Sequence, residues 1–233
     1  TISIYKAKNN KIDLVSNSSW PNSIGYFYLA STELLGYKLG DEYKVMGMSA
    51  FGKENFLPYI ESCFQINDYG KLNIYENEYI NFKPLFGTSH LVFNYTEKFQ
   101  KKIHKPINNN FQQIHFDFAK TIQTITEKVG TELSNWAYEN NNSNNICISG
   151  GVALNGLMND KIINNGKYKD SFVYPASGDD GTSVGAAQLI INRDNPDIVK
   201  EKIKTCFYGY KDEKKEIENI ISEKKINNIN YHK

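Results

Sequence analysis

The chain has little sulfur chemistry to offer. Its three cysteines, Cys63, Cys147 and Cys206, lie far apart and no CxxC pair occurs, which excludes a zinc site built on paired cysteines. An odd, sparse count fits a reducing compartment, so a cytoplasmic location is expected. No run approaches the ~18 consecutive apolar residues of a membrane span, and no segment has the form of a signal peptide. Neither a membrane nor a nucleic acid is an expected partner. Lys plus Arg (27) and Asp plus Glu (26) nearly cancel, and a formal charge of +1 supplies no basic field for phosphodiester backbones. The four histidines, His90, His104, His115 and His232, include no pair at i+3 or i+4, so a helical histidine metal site is not indicated. His115 reads as a capping or partly buried residue at the start of a long helical segment. No Ser–His–Asp grouping emerges. The chain starts with Thr1 inside a strand-like segment and is expected to be a piece of a longer protein.

Aromatic residues, by contrast, are abundant. Sixteen Tyr and thirteen Phe in 233 residues argue for a folded core and against disorder. Thr1–Val15 alternates around a KNNK turn and predicts a hairpin. Ser23–Leu35 has helical spacing with a Ser cap and Gly36 as a stop. Lys53–Gln112 is the least regular part, with a short helix over Leu57–Phe64 and a turn at Asp68–Gly70 between one strand ending near Ile66 and another over Lys71–Ile80. Ile114–Glu139 predicts a long helix packed on a sheet. Beyond it come a buried strand (Ile146–Ser149), a helix (Asn155–Ile163), a strand (Ser171–Tyr174) and a small-residue helix suited to close packing (Gly181–Ile191). Tyr208–Lys233 is charged and loosely helical. This order predicts an α/β or α+β class, with mixed sheets and packed helices.

Three segments carry candidate chemistry. SGGVALN, Ser149–Asn155, reads either as a nucleotide turn, with Gly150 and Gly151 letting backbone approach an anion, or as an ordinary strand-to-helix turn. Asn155 then caps the following helix or contacts the ligand. The GK[ST] of a Walker loop and the GxGxxG spacing are both missing. GDDGTSVG, Gly178–Gly185, places Asp179 as a metal ligand or has Asp179 and Asp180 capping the next helix. In GDEYKVMG, Gly40–Gly47, Glu42 and Lys44 share one face of an extended segment, as a pocket-lining or a surface pair.

Taken in order, SIGYFYLASTELLGYKLGDEYKVMGMSAFGK, ICISGGVALNG and PASGDDGTSVGAA resemble the ATP-dependent O-carbamoyltransferases of nodulation-factor and antibiotic biosynthesis, from about Thr1 to Tyr210. The resemblance implies an actin–hexokinase-type nucleotide-binding fold, similar to the tRNA threonylcarbamoyl-transfer enzymes. It divides the chain into the end of a first lobe (1–21), a second lobe (22–175, with the irregular insertion at 53–112), a crossover helix returning to the first lobe (176–207) and a linker or truncated segment (208–233). By position, Gly150, Gly151, Val152 and Asn155 match the nucleotide turn, Asp179 matches a metal-ligand aspartate, and Glu42 and Lys44 match an acidic–basic signature near the nucleotide. The implied cofactors are ATP, or carbamoyladenylate, and a divalent metal: iron, another transition metal, or Mg. The implied substrates are carbamoyl phosphate and a sugar-like hydroxyl acceptor. Lobe closure over nucleotide and metal is implied as well. The family's metal-binding histidines and its carbamoyladenylate-forming domain have no counterpart in these residues, so this segment alone is expected not to complete the reaction. A non-catalytic nucleotide-binding module and a sugar kinase of the same superfamily are the alternatives.

Overall fold

Alternating apolar and polar residues around a tight turn pair β1 (Ile2–Lys8) with β2 (Lys11–Ser18), antiparallel from Ile2↔Ser18 to Lys8↔Lys11. The structure, a computed structural model, describes residues 1–9, 11–85, 87–108, 110–195, 197–198 and 214–223. β2 continues three residues past the expected Val15 because its serines are used by a neighbouring turn. The Ser16 hydroxyl donates to the carbonyls of Tyr69 (2.8 Å) and Gly70 (3.0 Å), and Ser18 Oγ accepts from the Leu72 amide at 2.7 Å.

Helix α1 (Ile24–Leu34) starts where Ser23 Oγ accepts from the Tyr26 amide and ends before Gly36, whose φ of +86° only glycine adopts cheaply. Its inner face, with Phe27 fully buried, meets an aromatic chain. Phe27–Phe93, Phe93–Tyr95, Tyr95–Phe99 and Phe99–Phe118 pack with centroids 5.0–5.5 Å apart. Such pairs contribute about 0.5–1.5 kcal/mol beyond their buried area. The Tyr95 hydroxyl meets Ser31 Oγ at 2.8 Å, so its polar end is satisfied inside the core.

The middle of the chain is more ordered than its sequence suggested. A short helix α2 (Glu42–Met48) precedes α3 (Leu57–Ile60), which passes into a 3-10 turn at Glu61–Cys63. Strands β3 (Phe64–Ile66) and β4 (Leu72–Ile74) form a small antiparallel pair. β4 stops six residues before the expected Ile80 because Asn77 Oδ1 accepts the amides of Tyr79 and Ile80, turning the chain. Beyond that turn lie β5 (Ile80–Pro84), its antiparallel partner β6 (Leu91–Tyr95) and helix α4 (Glu97–Ile103), all within the segment expected to be least regular.

Helix α5 (Gln113–Asn141) runs slightly longer than the predicted span and carries Phe118, Ile122, Ile125 and Val129 into the core. His115 serves its N-terminus: Nδ1 accepts from the Gln112 amide (2.8 Å) and Nε2–H donates to the His104 carbonyl (2.8 Å). Both ring nitrogens are occupied, which fits a cap and leaves none for a metal.

The last part is β7 (Asn145–Ile148), α6 (Gly156–Asn164), β8 (Asp170–Val173) and α7 (Thr182–Asp194). β7 and β8 are parallel, in register from Asn145↔Asp170 to Ile148↔Val173. Two expectations are corrected here. β7 is not a buried strand: Asn145 and Cys147 are exposed, and Ile146 and Ile148 only half-covered. A pair with no third strand among the described residues leaves edge and face open. The small residues of α7 do not pack closely, since none of its side chains is buried and Leu189 is 68 % exposed.

Residues Thr1–Ile198 form one compact unit and Val199–Lys233 another. In the second, helix α8 (Lys214–Glu223) is described; Cys206, Tyr208, Tyr210 and His232 lie outside the described residues. The class is mixed α/β, built of helices and small two-stranded sheets. No described helix is long and apolar enough to cross a membrane.

Candidate functional site

Parallel strands β7 and β8 end side by side, so the turns that follow them also lie side by side. Turns at the carboxyl ends of adjacent parallel strands are where α/β folds bind ligands, because chain leaving each strand opens a crevice lined by backbone. Here one hydrogen bond joins the two turns: the Gly150 amide donates to the Ser177 carbonyl at 2.7 Å. Gly150 thus meets the segment that leads into Asp179, and Gly150, Gly151 and Asp179 are each exposed.

The first turn is backbone laid bare. Gly150 has φ +105° and ψ 167°, a conformation nearly confined to glycine. A Cβ at Gly150 or Gly151 would find no atom within 4 Å, so the space beside both is open. Gly151–Leu154 then forms a 3-10 turn. The Gly151 and Val152 N–H groups head that turn, where no intrahelical carbonyl reaches them. Val152 faces α1: a Cβ on Gly25 would lie 3.3 Å from its Cγ2.

Asn155 caps α6, its Oδ1 accepting from the Met158 amide at 2.9 Å. Beneath it lies a polar network the sequence reading missed. Gln123 of α5, fully buried, pairs with Asn155 through two amide hydrogen bonds (2.9 and 3.0 Å). Gln123 Nε2 also donates to Glu127 Oε1 (2.9 Å), and Gln123 Oε1 accepts from the Tyr28 hydroxyl (3.1 Å). Burial, then the charges of Glu127 and Glu42, push the Tyr28 phenol well above its ordinary pKa. The Glu42 charge is thus felt at Tyr28, whose hydroxyl bonds Gln123. The signal in the sequence was the i, i+4 spacing of Gln123 and Glu127 on one helical face.

Glu42 and Lys44 do not share a face. Their segment is helix α2, not an extended strand, so two residues turn the side chains about 200° apart. Lys44 pairs with Asp41 at 2.6 Å, and this partner holds the Lys44 amine above its usual pKa. Its ammonium also lies 5.3 Å from the Tyr37 ring centre.

The second turn is tight for a steric reason. A Cβ on Gly181 would fall 2.2 Å from the Ala176 carbonyl oxygen, so only glycine fits. Asp179 and Asp180 are exposed, and neither side chain caps a helix; the Thr182 hydroxyl bonds the Asp179 carbonyl instead. Ser177 is 4 % exposed and its Oγ has no hydrogen-bond partner among the described residues. Among those residues no three His, Cys, Asp or Glu side chains come together to hold a metal. Elsewhere, a groove of about 360 Å³ is lined by Asn55, Phe56, Tyr59, Lys102, Gln113, Ile114 and Asp117. Asp117 is fully engaged there, by the Lys53 amide, Asn55 Nδ2 and Gln113 Nε2.

Residues 1–188 match the family described as Carbamoyltransferase N-terminus. The chain is 30 % identical over 189 residues to an uncharacterized protein of Synechocystis sp., covering 80 % of this chain and 30 % of that protein. It is 32 % identical over 238 residues to an uncharacterized protein of Methanocaldococcus jannaschii, covering 97 % and 40 %. To the nodulation protein NolNO of Sinorhizobium fredii it is 27 % identical over 191 residues, covering 81 % and 26 %. The chain thus spans between a quarter and two-fifths of the length of these relatives. Covering four-fifths of its length, including both glycine turns and α2, the match shows that the chain belongs to the carbamoyltransferase N-terminal family.

Proposed function

We propose that this chain is part of the transfer domain of an ATP-dependent carbamoyltransferase, on an actin–hexokinase-type fold, and that its two joined turns hold the adenylate of carbamoyladenylate. The observation that carries the reading is the Gly150–Ser177 hydrogen bond, which unites both candidate turns at the ends of parallel strands. The residues fit such a ligand. Two open glycines leave room for a phosphoryl group, and the leading amides of the Gly151 turn present donors to it. Glu42 acts on the Tyr28–Asn155 network and is assigned to the nucleotide side. Lys44 is assigned to α2 itself, through Asp41.

In the proposed reaction an acceptor hydroxyl, on a sugar or similar molecule, attacks the carbamoyl carbon. The new C–O bond forms as the bond from that carbon to the phosphate oxygen breaks, AMP departs, and the hydroxyl proton is lost to solvent or base. Carbamoyl phosphate and ATP supply the activated group. What this chain contributes is fixed amide donors around the leaving adenylate, which need no reorganisation during the step. A divalent metal does not fit the described residues by themselves. Asp179 offers one exposed carboxylate, whereas a tight site takes several donors at fixed geometry. We assign Asp179 as one donor to such an ion.

Titration of the chain with AMP by calorimetry tests the binding, with saturable uptake expected. The complete gene product, given carbamoyl phosphate, ATP and a panel of hydroxyl acceptors, is expected to release AMP and a carbamoylated acceptor. Absence of AMP binding and of nucleotide-dependent transfer together would sink the reading.

A further inference from the structure

The glycine turn is held by a chain of hydrogen bonds whose direction is fixed at one end. Glu127, when ionised, only accepts hydrogen bonds. The Gln123 atom 2.9 Å from its Oε1 must therefore be the NH2 group. That choice turns Gln123 Oε1 toward the Tyr28 hydroxyl (3.1 Å) and Asn155 Nδ2 (2.9 Å), and its second N–H toward Asn155 Oδ1 (3.0 Å). Both lone pairs and both N–H groups of Gln123 are used, as a fully buried amide requires. With its side chain thus oriented, Asn155 presents Oδ1 to the Met158 amide, starting α6 at 2.9 Å; separately, the Asn155 backbone N–H closes the turn onto the Val152 carbonyl at 2.9 Å.

We infer that Gln123 is a positioning residue for ligand binding: it transmits the polarity of Glu127 to Asn155 and so holds the Gly150–Leu154 turn with its leading amides outward. The inference rests on the reading that this turn binds the adenylate. Gln123 is buried beneath the turn and touches no ligand itself. Its side chain works on α5, α1 and the α6 cap at once, which ties the turn to the rigid part of the molecule.

The experiment compares wild type with Gln123→Glu, with Gln123→Glu combined with Glu127→Gln, and with Gln123→Met. Three quantities are read on the same chain: AMP affinity, hydrogen exchange of the hydrogen-bonded Ala153 and Asn155 amides, and the thermal unfolding midpoint. Gln123→Glu sets a carboxylate against both Glu127 and Asn155 Oδ1. It is expected to lower AMP affinity about ten-fold, the equivalent of one lost hydrogen bond, and to speed exchange at the turn. Adding Glu127→Gln restores a donor to that contact and should recover part of the loss in unfolding midpoint. It cannot return an N–H to Asn155 Oδ1, so affinity and exchange should stay impaired. Gln123→Met brings no new charge into the core and should show the same loss of affinity and the same faster exchange. Recovery of affinity together with stability in the double variant would reduce Gln123 to a structural residue and overturn the inference. Wild-type exchange at the turn in Gln123→Met would overturn it too. If wild-type chain takes up no AMP, the adenylate reading fails separately, and the exchange comparison still decides the role of Gln123.

Discussion

The Gly181 Cα and the Ala176 carbonyl oxygen are packed so closely that a Cβ at position 181 would lie 2.2 Å from that oxygen. This contact folds the GDDG turn back on the end of β8, where its Ser177 carbonyl receives the Gly150 amide. Gly181→Ala must push the turn away from that amide. Gly185, on α7, has no atom within 4 Å of where its Cβ would stand. Gly185→Ala is therefore expected to be neutral or to stabilise by about 0.5–1 kcal/mol through helix propensity. Paired urea unfolding and AMP titration of the two variants checks this. Weaker AMP binding is expected in Gly181→Ala only, and equal behaviour of the two would refute the steric account.

Gly150 presents the opposite case, a glycine needed for its conformation in open space. At φ +105° and ψ 167° any L side chain is strained although nothing crowds it. Gly150→Ala should cost about 1–3 kcal/mol in unfolding free energy. Because the strain falls at the joint between the turns, the Gly150–Ser177 bond should loosen as well. Exchange of the Gly150 amide reads this directly, and protection at the wild-type level would count against it.

Asp117 predicts the acid limit of the fold. Burial opposes its charge, but hydrogen bonds from Gln113, the Lys53 amide and Asn55 outweigh it and hold its carboxyl below the usual range. A carboxyl with a depressed folded-state pKa adds stability above its unfolded value of about 3.9. That contribution is lost as pH falls below this value and through the folded-state pKa. Asp117→Asn should therefore lower stability at pH 7 by about 1–3 kcal/mol, the cost of leaving donors poorly matched. It should also flatten the fall in urea midpoint as pH drops below about 4. A variant curve parallel to wild type over that range would remove Asp117 from the acid transition.

Glu42 and Lys44 should separate in function. Glu42→Gln removes a charge acting on Tyr28, so AMP affinity should fall. Lys44→Ala removes the half-buried partner of Asp41 at the start of α2 and should leave AMP affinity at the wild-type value. Calorimetry distinguishes the two. A larger affinity loss in Lys44→Ala than in Glu42→Gln would restore Lys44 to the ligand side.

Much of the local structure was determined by sequence alone, because its causes are local. Ser23 caps α1, Gly36 stops it, His115 sits at the N-terminus of α5, and the small residues after β7 and β8 make tight turns. Family membership was legible for the same reason, in short motifs kept in order along the chain. The extended reading of Glu42–Lys44 failed because a two-residue spacing carries no helical or strand period by itself. β4 ended early because the Asn77 side chain offered its backbone a turn that alternation could not reveal. What only tertiary structure decided was adjacency. Parallel pairing of β7 with β8 brings Gly150 to Ser177 across 27 residues of chain. Folding of α5 beneath them carries Gln123 to Asn155, 32 positions away. Such contacts depend on where whole elements pack, and no spacing within a segment encodes that.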